Sequence, residues 1–244
     1  MRTTQSAAPR RASHPAWMAQ HFGLRRLALL TADDLEALAG ALRAVLVPPG
    51  RTILEAGKEA PAAFVIEEGE VEIVARSGDR PTLVSIERTG SVLGDVPILF
   101  QMPVPFDAVA RTSCTLLEVD RDGLVDMLRE RPAIALRWLG NVVRRLDRAN
   151  RRILSLIAGD LRSRTLALLA EAQGQGEGGD DGTPTVRLTQ AELAAMMGAS
   201  RQSVNRVLGQ LAKERLIRTS YGEVEILDPD RVLTLAEERI PTAE

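Results

Sequence analysis

At 244 residues, with 45% hydrophobic and 26% charged residues, the chain is long enough for two globular domains and too apolar to be disordered. One cysteine, Cys114, excludes an internal disulfide and any iron–sulfur cluster or zinc site held by four of the chain's own thiolates, and two histidines leave little for acid–base catalysis. A net charge of −2 gives no global sign of a nucleic-acid partner; no apolar run reaches the roughly 18 residues of a membrane span, and no secretory segment is visible, so the expected compartment is the cytoplasm.

Residues 1–16, MRTTQSAAPRRASHPA, offer little to bury and read as a loose, disordered tail. TADDLEALAGAL fits a short helix with Thr31 as N-cap and Asp34 three residues on. From about Val45 to Asp120 the texture changes to short β-branched runs separated by glycines at 50, 57, 69, 78, 90 and 94. AAFVIEEGEVEIVAR reads as two strands around Glu68-Gly69, and PTLVSIER and SCTLLEVD as two more. Turn residues every roughly 8–12 positions predict an all-β sandwich or jelly roll.

A helical pattern follows from about Pro132 to Ala158. Ala135, Leu139, Val142, Leu146, Ala149, Ile153 and Leu156 follow alternating steps of four and three, with Arg144, Arg145, Arg148, Arg151 and Arg152 on the other faces. A helix packed only on its own domain shows a wider apolar face, so this narrow seam predicts a parallel homodimer; one side of an intradomain core is the plainer alternative. Asp160 fits the N-cap of the next helix, LRSRTLALLAEAQ, with a hinge just past Gly159. GQGEGGDDGTP reads as a surface loop.

The C-terminal part carries the most specific pattern. TQAE at 189–192 is a capping box opening a first helix, Gly198 suits the left-handed residue of a sharp turn, and Ser200 caps a second helix whose Val204, Leu208 and Leu211 face inward. This is a helix-turn-helix, and LIRTSYGEVEIL adds a β-hairpin wing with its turn near Tyr221-Gly222. Between Ala199 and Arg218 stand Arg201, Arg206, Lys213, Arg215 and Arg218 against the single acid Glu214, a basic face in an otherwise acidic C-terminal third. Basic residues alone would fit a solvated helical hairpin; capping box, turn glycine, capped basic helix and wing in this order point to DNA.

GASRQSVNRVLGQLAKERLI resembles the recognition segment of the CRP/FNR family of bacterial transcription regulators. The resemblance runs over nearly the whole chain: a glycine-punctuated β-roll carrying EEGEVEI, a long dimer helix, a hinge aspartate at 160 and a winged helix. It implies a dimer on a palindromic double-stranded DNA operator, a signal-responsive β-roll and contact with RNA polymerase. The docking geometry it implies is that of the family's founding member. Arg201 and Arg206 match the family's recognition arginines, suited to guanine O6 and N7, with Thr189, Ser200 and Ser203 as further expected DNA contacts. Gln202 stands where the best-known members have glutamate and favours adenine over cytosine.

The sensory pocket departs from the family pattern. Members that bind cyclic AMP open a short helix with Gly-Glu and hold the phosphate with a later Arg-Ser pair. GDVPILFQMPVPFDAVAR keeps Gly94-Asp95, but the Arg-Ser positions fall within PVPFD, leaving Phe106 and Asp107, and no arginine precedes Arg111. Ala149-Asn150 replaces the adenine-contacting Thr-Ser on the dimer helix. The resemblance therefore implies a pocket of Gly94, Asp95, Phe106, Asp107, Arg145 and Asn150 that has lost cyclic AMP, with Arg111 or Arg145 as the residues able to restore a phosphate contact. Haem would need His14, His21 or Cys114 as axial ligand; their plainer places are a solvated tail, a helix edge and the strand core.

The expected architecture is α+β: tail 1–16, β-roll (jelly roll) sensor 17–131, dimerisation helix and hinge 132–159, and winged helix-turn-helix 160–244. The expected function is a homodimeric, sequence-specific DNA-binding regulator without catalysis. The alternative is a small-molecule-binding module that acts through a protein partner.

Overall fold

The computed structural model describes residues 14, 17, 18, 20, 22, 28–77, 80–158, 160–173 and 184–237. Most of the expected tail, His21, Gly159 and nearly all of the expected loop after residue 173 lie outside the described residues. The chain divides into two compact units, residues 1–81 with 85–144, and residues 82–84 with 145–244.

In the first unit, α1 (Ala32–Ala41) starts at a full capping box: Thr31 Oγ1 accepts the Asp34 N–H at 3.2 Å, and Asp34 Oδ2 accepts the Thr31 N–H at 2.9 Å. Strands β1 (Arg43–Val47), β2 (Thr52–Leu54), β3 (Ala63–Glu68), β4 (Val71–Ser77), β5 (Arg80–Glu87) and β6 (Val92–Leu93) follow. After the short α2 (Asp95–Phe100) come β7 (Asp107–Ala110) and β8 (Cys114–Val119). They form two four-stranded sheets, β1-β8-β3-β6 and β2-β7-β4-β5, the double-sheet roll that short strands with frequent turns favour. Gly69 links β3 to β4 at φ 98°; a Cβ there would sit 2.5 Å from the Ser113 carbonyl oxygen, so only glycine fits.

Helix α3 (Arg121–Glu130) leads into α4 (Pro132–Ala158), the long helix anticipated from its pattern. The first half of α4 closes the β-roll core, with Ile134 and Trp138 packed beside Met18, Phe22, Val65 and Leu117. Trp138 and Phe22 meet with ring centroids 5.2 Å apart. Buried polar groups fasten the same face. Arg137 Nε donates to the Ala28 carbonyl at 2.9 Å, its guanidinium also reaches the Met18 and Phe22 carbonyls, and Asn141 Nδ2 donates to the Gly90 carbonyl at 3.0 Å.

Two expectations are corrected in this unit. His14, assigned to a solvated tail, is helical and 6% exposed, with Nδ1 2.8 Å from a Glu67 carboxylate oxygen, an acid far along the chain that draws the ring in. Val142, assigned to the dimer seam, packs against the chain's own core. The large apolar groups that α4 leaves exposed are Leu136, Leu139, Val143, Leu146, Ile153 and Leu154, so Leu136 and Val143 are exposed where Ala135 and Val142 were expected, while Ala149 is exposed as expected. The side chain of Leu156 lies outside the described residues.

In the second unit, Asp160 caps α5 (Leu161–Gln173), its Oδ1 accepting the Ser163 N–H at 2.8 Å. Strand β9 (Thr185–Val186), helices α6 (Gln190–Met196) and α7 (Arg201–Lys213), the hairpin β10 (Ile217–Ser220) and β11 (Glu223–Ile226), and α8 (Pro229–Glu237) complete it. The three strands pair in the order β10-β11-β9. Leu169, Leu193, Val204, Leu211, Ile217 and Ile226 are buried at its centre. Among the described residues, no helix is long and apolar enough to cross a membrane.

Candidate nucleic-acid interface and effector pocket

Thr189 and Glu192 form the capping box that starts α6: Glu192 Oε2 accepts the Thr189 N–H at 2.6 Å, and Thr189 Oγ1 accepts the Glu192 N–H at 3.2 Å. The helix stops at Gly198, where φ is 58° and open space surrounds the missing side chain. Ser200 then caps α7 by accepting the Ser203 N–H at 3.1 Å. Arg152 Nη2 donates to the Met196 carbonyl at 2.9 Å and Arg164 Nη1 to the Met197 carbonyl at 3.1 Å, satisfying carbonyls that the end of α6 leaves unpaired.

Val204, Val207, Leu208 and Leu211 anchor α7 in the core. Arg201, Gln202, Asn205, Arg206 and Gln210 are exposed along its outer side, and Ser203 is half-buried. Among the described residues, Arg201 and Arg206 have no carboxylate partner. Their basic neighbours differ. Arg218 is held by Glu225 at 2.8 Å, and Glu214 is gripped by both terminal nitrogens of Arg162 at 2.7 and 2.6 Å. That fork holds the Glu214 carboxyl below the usual carboxylate range and cancels the one negative charge in the basic stretch. At the wing tip Tyr221 is fully exposed, and Gly222, at φ 73°, lies beside the Thr189 methyl. Sequence reasoning passed over Asn205, although its distance of four residues from Arg201 puts both on one side of a helix.

Within the first unit, Asp95, Asp107 and Arg111 each have partners in the fold. Gly94 takes φ 75° with the Ala62 carbonyl oxygen 2.8 Å from where a Cβ would stand, which sets the entry to α2. Asp95 is 1% exposed, and its Oδ2 accepts the Trp138 indole N–H at 3.1 Å. The carboxylate expected to face a ligand is thus engaged by the long helix. Asp107 accepts the Ala56 N–H at 2.8 Å and the Arg76 Nε–H at 2.5 Å, while Phe106 beside it is half-buried. Arg111 stands 3.3 Å from Glu70 and 3.5 Å from Glu72, and Arg88 donates to the same Glu70 at 2.9 Å. Arg145 and Asn150 belong to the second unit. Cys114 is buried in β8 with its thiol directed at the Glu70 and Thr112 carbonyls, and burial pushes its pKa up, the reverse of what a thiolate ligand needs. Among the described residues, no group of three His, Cys, Asp or Glu side chains could hold a metal ion.

The Ala56 amide and the Arg76 guanidinium hold the Asp107 carboxyl below its ordinary range. A carboxylate whose folded pKa is depressed stabilises the fold above its unfolded pKa, and that contribution is lost as pH falls through the folded value. Asp107→Asn should therefore melt about 2 °C or more below the native chain at pH 7, and the gap should close in acid below pH ~4. Thermal melts at both pH values check this; an equal gap at both would assign the loss to packing and not to charge.

A model of the cyclic nucleotide-binding domain matches residues 44–131, and a model of the Crp-like helix-turn-helix domain matches residues 163–235. The HTH-type transcriptional regulator Cmr of Mycobacterium tuberculosis is 33% identical over 213 residues, 87% of this chain and 84% of that protein. The CRP-like cAMP-activated global transcriptional regulator of the same organism is 33% identical over 202 residues, 81% of this chain and 90% of its own. A solved transcriptional regulator of the CRP/FNR family from Thermus thermophilus is 26% identical and superposes with a TM-score of 0.63, covering 81% of this chain and 100% of its own.

Proposed function

Because the chain belongs to the CRP/FNR family of transcription regulators, which are not enzymes, we propose that it acts as a cytoplasmic homodimer. The dimer binds a two-fold-symmetric operator through the outer side of α7 and controls transcription there through RNA polymerase. The observation that carries this reading is the pair Arg201 and Arg206: exposed on a capped helix, without an internal carboxylate partner among the described residues, and ready for an external anion or guanine edge. Gln202 between them gives each half-site a position that accepts adenine. A mobility-shift titration tests the reading. Salt-sensitive binding with a strong preference for one symmetric sequence supports it; sequence-independent binding alone would favour a module that works through a protein partner.

The β-roll in this proposal does not answer to cyclic AMP, although the domain model is one for cyclic nucleotides and a relative's name includes cAMP. PVPFD at 103–107 stands where the phosphate-binding arginine and serine would be, Arg111 is turned to Glu70 and Glu72, and Asp95 is engaged by Trp138. Losing two or three hydrogen bonds to a partly buried phosphate amounts to ~3–5 kcal/mol, on the order of a hundredfold to more than a thousandfold in affinity. Titration calorimetry should detect no micromolar binding of cyclic AMP or cyclic GMP, and neither should raise operator affinity. A micromolar Kd, or a tenfold gain in operator binding with nucleotide, would overturn this part.

A further inference from the structure

We propose that Asn150 selects the partner of α4, pairing with Asn150 of a second copy across a parallel, in-register two-stranded seam; the inference rests on the dimer proposed above. The exposed row of α4 passes through Leu136, Leu139, Val143, Leu146, Asn150 and Ile153, in strict steps of three and four. Its aliphatic members are 44%, 56%, 53%, 59% and 53% exposed, and unlike exposed apolar groups scattered singly over a surface they line up along one helix. The opposite side of the same helix is occupied by the chain's own core through Ile134, Trp138, Asn141 and Val142.

The pattern of the row identifies its occupant. It is narrow, widened only at its end by Leu154, and repeats every 3.5 residues, so it fits a second helix of the same period and not a broad groove or a membrane surface, which call for a wider apolar face along its whole length. Val143 at one core position with Leu139 and Leu146 at the other is the combination that favours two parallel strands. Asn150 alone breaks the apolar series. Its amide has donors and an acceptor that a leucine or valine layer cannot satisfy, and burying them unpaired is costly. In-register parallel pairing is the arrangement that sets this amide opposite an identical one. A slip by one heptad would move the helices about 10 Å along each other and leave both amides facing aliphatic side chains. Register matters because two recognition helices must meet half-sites one DNA turn apart.

The test is cross-linking of the full chain. Copies carrying Leu139→Cys are mixed with copies carrying Leu146→Cys, allowed to exchange and oxidised; Cys114, buried with its thiol pKa raised, stays out of the reaction. With Asn150 present, each variant should link to its own kind, and the mixed 139–146 product should be absent. Adding Asn150→Val should make the mixed product appear and lower the dimer Kd at least tenfold by sedimentation. A mixed product in both backgrounds or in neither, or a valine variant that associates no more tightly, would overturn the role of Asn150. Monomeric native protein that forms no cross-link at all would instead remove the dimer itself.

Discussion

Leu146→Asp should turn the dimer into monomers. Leu146 sits near the middle of the exposed row of α4, so in a two-stranded seam each copy would bury a carboxylate against its twin. Desolvating such an ion without a partner costs several kcal/mol, and about 4 kcal/mol already raises the dimer Kd roughly a thousandfold. Sedimentation at micromolar protein should show monomers, and operator binding should fall with them because one recognition helix then meets one half-site. The protomer itself should keep its melting temperature to within a few degrees, since Leu146 is more than half exposed in the single chain. A variant that remains dimeric would mean that this row faces something other than a second copy.

Position 142 shows where sequence periodicity reaches its limit. A helix with apolar residues on two neighbouring faces, one for its own core and one for a partner, gives a pattern in which Val142 and Val143 are equally good members. Packing of Val142 against the chain's own core decides between them, and that core includes Met18 and Phe22, more than a hundred residues away in the chain. The local devices were legible, because each is written within four residues: Thr31 with Asp34, Thr189 with Glu192, Ser200 with Ser203, and Asp160 with Ser163. The two strands β3 and β4 around Gly69 were legible for the same reason, and with them the β-roll, long helix and winged helix in order.

What the sequence did not reveal are polar pairs made at long range. Trp138 with Asp95, Arg76 with Asp107 and Arg111 with Glu70 join strands and helices distant in sequence, and each takes a group that looked free for a ligand. The absence of a phosphate-binding arginine could be read from the sequence. The engagement of Asp95 by the long helix could not, because an aspartate after Gly94 reads the same whether it faces a ligand or an indole. His14 belongs with these cases. Residues typical of a loose tail gave no sign that Glu67 would draw that ring into the fold.

Arg201→Ala and Arg206→Ala should each cost ~1–3 kcal/mol per half-site, and the proposed dimer would use two half-sites. The combined loss, about 2–6 kcal/mol, is roughly thirtyfold to ten-thousandfold in operator affinity. Each substitution should also relax preference at one G·C pair and leave the others, the signature of a base contact. Lys213→Ala, at the far end of the same helix, should weaken binding slightly and equally for all sequences. Mobility-shift titrations against operators with single base changes separate these outcomes. Equal loss on every sequence for Arg201→Ala and Arg206→Ala would demote both to phosphate contacts. Neither arginine makes an ion pair with a described carboxylate, so their removal should leave the melting temperature within a few degrees of the native value.

Selection of binding sites from a random library of double-stranded DNA by the native protein shows whether α7 reads sequence. The account expects a two-fold-symmetric motif with half-sites about one helical turn apart, each carrying a G·C pair assigned to Arg201 or Arg206. The same selection with Gln202→Glu should move one base pair per half-site toward C·G. Recovery of no symmetric motif, or of the same motif by both proteins, would contradict the assignment of α7 as the element that reads sequence.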